Sequence, residues 1–258
     1  MEDVDPTTSN LMERKEFMVK VLIVIFMKHI ENGSDSAALL EIFEKAFMIA
    51  MQEMVSENYN PSMQHNSSYY TQLLMLMNRG IVLSEEFRKN IFEYRSQQES
   101  IQFLCKWFDK MHFIMMNFAR RINQLAIIKT LPLLSKEAVC QFFPKVAPNV
   151  FSAVESDIYI NESKNTEDFY SPDKIENYET ISVVKNVNAK GSKRLAALRA
   201  EDSLMNVSLV EEFINNMQAM WMKLEINEND LNELLSNDKE KLSFQNIVKQ
   251  GAKYYSKD

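Results

Sequence analysis

The amino-acid sequence predicts an all-α protein: an irregular helical bundle, then a flexible linker, then a C-terminal amphipathic helix. Glycine and proline are scarce, with 4 and 6 residues in a chain of 258. Sheet proteins need many tight turns, and those two residues supply them. The apolar fraction of 46%, which includes 17 methionines, is enough for a substantial core. This composition favours long helices joined by short links.

The pattern along the chain divides it into four regions. Residues 1–9 are predicted to be disordered, and residues 10–152 to form the helical bundle. Residues 153–202 are rich in Asn and Ser, first acidic and then basic, with little periodicity, which predicts a linker. Residues 203–258 regain an apolar period and are predicted to be a helical partner-binding region.

Capping residues and helix breakers predict where the helices of the bundle begin and end. Ser84 and Ser135 have the side chains that N-caps require. Gly80 is expected to end the helix that precedes it, as a C-terminal glycine does. Pro144 and Pro148 are expected to close the bundle, since proline disrupts a helix interior.

The C-terminal region carries an a/d-type seam with spacings of three and four residues. The seam consists of Val207, Val210, Ile214, Met217, Trp221 and Leu224. Two interpretations are open. The helix packs back on its own domain, or it docks a helix of a partner protein, with Trp221 as the aromatic anchor.

Basic residues provide candidate contacts to nucleic acid or to an acidic partner. The net charge is −7, so binding to DNA requires positive charge to be concentrated locally. The candidate contacts are Arg120 and Arg121 in the bundle, and Lys190, Lys193 and Arg194 in the linker. The alternative is that they only solvate a helix face and a linker.

No motif predicts catalysis, a cofactor, a metal or a small-molecule substrate. Too few glycines are present for a phosphate-binding loop. His29, His65 and His112 are far apart and have no ligand at metal-binding spacing. Cys105 and Cys140 lie in apolar helical patterns, which favours small buried side chains over a disulfide or metal pair. We therefore expect a protein that is not an enzyme.

The most apolar stretch, residues 17–27, is expected to be a buried core helix. It contains Lys20 and spans only 11 residues, too few to cross a bilayer. The acidic N-terminus, residues 1–5, does not resemble a signal peptide. No membrane contact is expected, and the predicted location is the nucleus, with the cytoplasm as the alternative.

Four motifs follow one another over about 100 residues of the chain, between residues 34 and 134. They are Ser34-Asp35-Ser36 followed by Leu40 and Phe43, Tyr69-Tyr70 followed by Leu73-Leu74, His112-Phe113 with Phe118 and Arg120-Arg121-Ile122, and Leu131-Pro132-Leu133-Leu134. In this order they resemble the family of the first subunit of the small-nuclear-RNA-activating protein complex (SNAPc). The block from His112 to Leu134 is the most specific part.

The resemblance implies a nuclear scaffold subunit of a complex that acts at promoters of small nuclear RNA genes. Its partners would be other subunits, one of them with a Myb domain that supplies most of the base readout. This chain would then reach DNA indirectly or through its local basic patches. The alternative is a helical adaptor or regulatory subunit of a complex unrelated to DNA, and a third class is a small helical enzyme or lipid-binding bundle.

Overall fold

The structure, a computed structural model, describes residues 6–31, 37–55, 64–111, 114, 117–163, 202–226, 230, 233–235 and 237–255. Within these ranges the chain forms helices and no strand, which confirms the all-α prediction. The chain divides into two compact units, residues 1–142 and 143–258.

The first unit is built around a long central helix. Its helices are α1 (Pro6–Glu31), α2 (Ala37–Val55), α3 (Gln64–Leu83), α4 (Glu85–Phe92), α5 (Gln97–Lys110) and α6 (Asn117–Thr130), followed by a 3-10 turn (Leu131–Leu133) and the start of α7 (Lys136–Ser163). Helices α1, α2 and α6 all pack on α3. Leu74, Met77 and Ile81 of α3 are fully buried because neighbours surround this helix.

Gly80 lies inside α3, so the prediction that it ends a helix is wrong. A Cβ atom at this position would lie 2.7 Å from Cγ of Phe47. The Phe47 ring also contacts Phe26 and Phe87, with centroids 5.1 and 5.0 Å away. Glycine is therefore required here for the close approach of α2 to α3, a tertiary reason that the local sequence does not carry.

Side-chain caps begin the shorter helices. The Ser84 hydroxyl accepts a hydrogen bond from the Phe87 N–H at 3.1 Å, and the Ser135 hydroxyl accepts one from the Ala138 N–H at 3.2 Å. Both predicted N-caps are confirmed. Ser96 and Glu99 form a capping box at the start of α5, which satisfies two backbone donors reciprocally.

A buried polar network joins three helices of the first unit. The Asn123 side-chain oxygen accepts from the Trp107 indole N–H at 3.0 Å and from the Asn78 amide at 2.9 Å. All three side chains are buried. These hydrogen bonds fix the relative register of α3, α5 and α6, because shifting any one helix would leave a buried polar group unpaired.

Helix α7 runs to Ser163, and Pro144 and Pro148 lie within it. The two prolines therefore do not end the helix, and the predicted boundary between residues 152 and 153 falls inside α7. The first compact unit ends at residue 142, two residues before Pro144. Each proline removes one backbone donor and strains the preceding turn. Buried apolar residues along the same helix offset that cost: Val146, Ala147, Val150, Phe151, Val154 and Ile158. Of the predicted linker, residues 164–201 lie outside the described residues.

Helix α1 begins at Pro6, within the segment 1–9 that was expected to be disordered. Proline suits the first helical position, because its fixed φ angle is helical and the N–H it lacks has no partner there. Residues 1–5 lie outside the described residues.

The second unit contains the rest of α7, a 3-10 turn (Ser203–Asn206), α8 (Leu209–Leu224) and α9 (Asp238–Tyr255). Its core is aromatic. The Phe151 ring of α7 lies 5.8 Å from Phe213 of α8 and 5.9 Å from Phe244 of α9, measured between centroids. Three helices therefore meet on one cluster of rings, in which Phe151 and Phe213 pack edge to face, a favourable arrangement.

Candidate protein-binding surfaces

The predicted seam lies on α8 and just before it, and it faces the core of its own unit. Val210 and Met217 are buried, and the other four seam residues are half-buried. The Trp221 ring lies 5.6 Å from Phe244 of α9. Of the two interpretations open from sequence, this geometry agrees with packing on the chain's own domain. Docking a partner through the same residues stays a prediction, and it would require α8 to separate from α7 and α9.

The buried face of α8 shares Val210 and Met217 with the predicted seam and is rotated from it by roughly 60° about the helix axis. It is formed by Leu209, Val210, Phe213, Met217 and Met220. The sequence prediction missed Phe213 and Met220, although both have a helical spacing to Met217. Their size and spacing are the signals that would have found them.

Helices α8 and α9 cross closely at a glycine. A Cβ atom on Gly251 would lie only 1.7 Å from Cδ1 of Ile214. Ile214 thus packs directly on the backbone of α9, which explains why this seam residue is engaged within the unit.

The N-terminus of α8 is bound by a carboxylate from α7. Oδ2 of Asp157 accepts a hydrogen bond from the Leu209 N–H at 2.9 Å, and the Ser208 hydroxyl accepts one from the Glu211 N–H at 3.3 Å. Asp157 is buried. A negative charge at a helix N-terminus stabilises the helix dipole and satisfies an otherwise unpaired donor.

Two of the five predicted basic contacts lie in the described part of the chain. Nε of Arg120 donates to the backbone oxygen of Ile114 at 2.9 Å, so part of this exposed side chain anchors the segment that precedes α6. Arg121 is half-buried. Lys190, Lys193 and Arg194 lie outside the described residues, so contacts of all five to nucleic acid or to an acidic partner stay a prediction.

An apolar surface that the sequence did not predict lies on α1 and α2. Four residues of α1 are exposed: Phe17 by 65%, Met18 by 60%, Val24 by 37% and Ile25 by 45%. On α2, Ile42 and Ile49 are exposed by 51% and 58%. We call these six residues the outer apolar surface. The prediction that residues 17–27 form a buried core helix is wrong for this face of α1.

The opposite face of α1 packs against the other helices of the first unit. Val19, Ile23 and Phe26 are buried, and they recur at spacings of four and three. The Phe26 ring lies 4.4 Å from Phe43 of α2, and Nζ of Lys15 lies 3.5 Å from Oε1 of Glu53. Helix α1 therefore runs antiparallel to α2, with one apolar face packed and a second apolar face open to solvent.

One buried cation in the first unit has a shifted pKa. Nζ of Lys110 lies 5.0 Å from the centre of the Tyr70 ring, and the side chain is buried. Burial lowers the pKa of Lys110, and the neighbouring Lys106 lowers it further. The contact with the face of Tyr70 partly compensates the lost hydration of the charge.

The described residues include two cysteines with free thiol groups. Cys105 is half-buried and Cys140 is exposed, and both are free thiols, so the expected burial is wrong for Cys140.

Within the described ranges, no three His, Cys, Asp or Glu side chains come together as a metal-ligand group. Nor does any helix in these ranges combine the length and apolarity that crossing a membrane requires.

Comparisons with known proteins do not assign a family. No protein-family model, curated protein or solved structure matches the chain.

Proposed function

We propose that this protein is a non-catalytic scaffold subunit of a nuclear transcription-factor complex that acts at promoters of small nuclear RNA-type genes. The observation that carries the scaffold role is the outer apolar surface of the first unit. On each of the two helices, large exposed apolar side chains lie two turns apart on one side, which is typical of a helix face that another protein covers. The nuclear and promoter roles rest on the resemblance of residues 34–134 to the SNAPc subunit family.

The exposed side of α2 has the spacing that a partner helix would require. Ile42 and Ile49 are seven residues apart on α2, so they lie on one side of the helix, two turns apart. A partner helix that lies along α2 would cover both with side chains at similar spacing. The Glu41–Lys45 ion pair beside Ile42, with Nζ and Oε1 2.6 Å apart, would lie at the rim of such a contact.

DNA is reached through the partner in this proposal. The chain carries a net charge of −7, which disfavours extensive phosphate contacts by the chain itself. A Myb-domain subunit would read the bases, and Arg120, Arg121, Lys190, Lys193 and Arg194 would add local phosphate or acidic-partner contacts.

The test is affinity capture of the tagged full chain from nuclear extract, with mass spectrometry of the bound proteins. The variant Ile42→Glu with Ile49→Glu places charge on the α2 part of the outer apolar surface. The matched control is Leu242→Glu, an equally exposed apolar residue of the second unit. We expect a Myb-domain protein and polymerase factors with wild type and the control, and their loss with the double variant.

Two results would overturn the proposal. Recovery of cytoplasmic partners only would favour the helical adaptor unrelated to DNA. Recovery of the same nuclear partners with the double variant would remove the α2 surface from the scaffold role. Circular dichroism of each variant checks that the helices remain formed, which exposed positions should permit.

A further inference from the structure

We draw no further inference here: the strongest candidate, the exposed apolar side of α1 formed by Phe17, Met18, Val24 and Ile25, carries none because nothing in the structure shows what covers it.

Discussion

Helices α1 and α8 show opposite relations between an apolar pattern and its burial. In α8, the apolar face is covered by α7 and α9 of the same unit, with Phe213 fully buried. In α1, one apolar face is covered by α2 and α3, while Phe17 on the other face remains 65% exposed. The seam that predicted a partner surface is thus engaged internally, and the stretch that predicted a core helix presents the open surface. Apolar residues at helical spacing show that one face of the helix tends to be covered, but they do not show whether the same chain or another chain covers it.

The largest expected effect contrasts one phenylalanine on each helix. Phe213→Ala should destabilise the second unit by about 3–5 kcal/mol, because it leaves a cavity between Phe151 and Phe244. Phe17→Ala should change stability by less than about 0.5 kcal/mol, because the ring is largely in water already. Hydrogen exchange measured by mass spectrometry reports each unit separately. A large loss of protection in the first unit of the Phe17 variant would show that α1 depends on its outer face.

The fold class and the N-caps at Ser84 and Ser135 can be predicted from the sequence, because the composition, the helical spacing of apolar residues and the capping side chains do not depend on tertiary packing. The roles of Gly80 and Pro144 within their helices do not follow from the local sequence, because they depend on tertiary packing: the ring of Phe47 for Gly80 and the buried side chains of α7 for Pro144.

The candidate surface was harder to predict than the fold. Lys20 is the one charged residue among residues 17–27, and a single lysine does not mark which other residues of α1 face solvent. On α8, the buried face differs in part from the predicted seam, because Leu209 and Phe213 compete with the neighbouring apolar residues Val210 and Ile214 for the buried side. Only the packing partners decide between such alternatives.

The two glycines that lie in the described helices, Gly80 and Gly251, test how tightly each unit is packed. Gly80→Ala should cost about 1–3 kcal/mol, because the Phe47 ring that a Cβ would meet is held by other rings. Gly251→Ala should cost less, because the atom it meets is the terminal methyl of Ile214, which can rotate away, and alanine favours the helix. Urea unfolding of the two variants measures both costs.

A double variant provides the control for Gly251. Ile214→Val removes the methyl group that clashes, so Gly251→Ala should be less harmful when combined with it than when it is made alone. Costs that simply add would show that α8 and α9 do not approach as closely as described.

The carboxylate at the start of α8 is expected to contribute less than the ring cluster. Asp157→Ala should destabilise the second unit by about 1–2 kcal/mol, because the Leu209 N–H is left buried without its acceptor. Asp157→Asn should cost less, since the amide oxygen can still accept that hydrogen bond and only the charge is lost. Thermal unfolding of the two variants separates the hydrogen bond from the charge. Equal losses would assign the whole effect to the charge.

The smallest expected effect is a gain in stability at the other end of α8. Glu225 ends the helix with a φ angle of 52°, the only non-glycine residue with positive φ in the described part of the chain. Glycine is preferred at such a left-handed cap because it has no Cβ to clash with the backbone. Glu225→Gly should therefore stabilise the second unit by about 0.5–1 kcal/mol, with Glu225→Ala as the control that removes the carboxylate but keeps the strain. If α8 is held mainly by its buried face, this gain will slow hydrogen exchange only in the last turn. Slower exchange along the whole helix would mean that its end, as much as its buried face, limits the opening of α8.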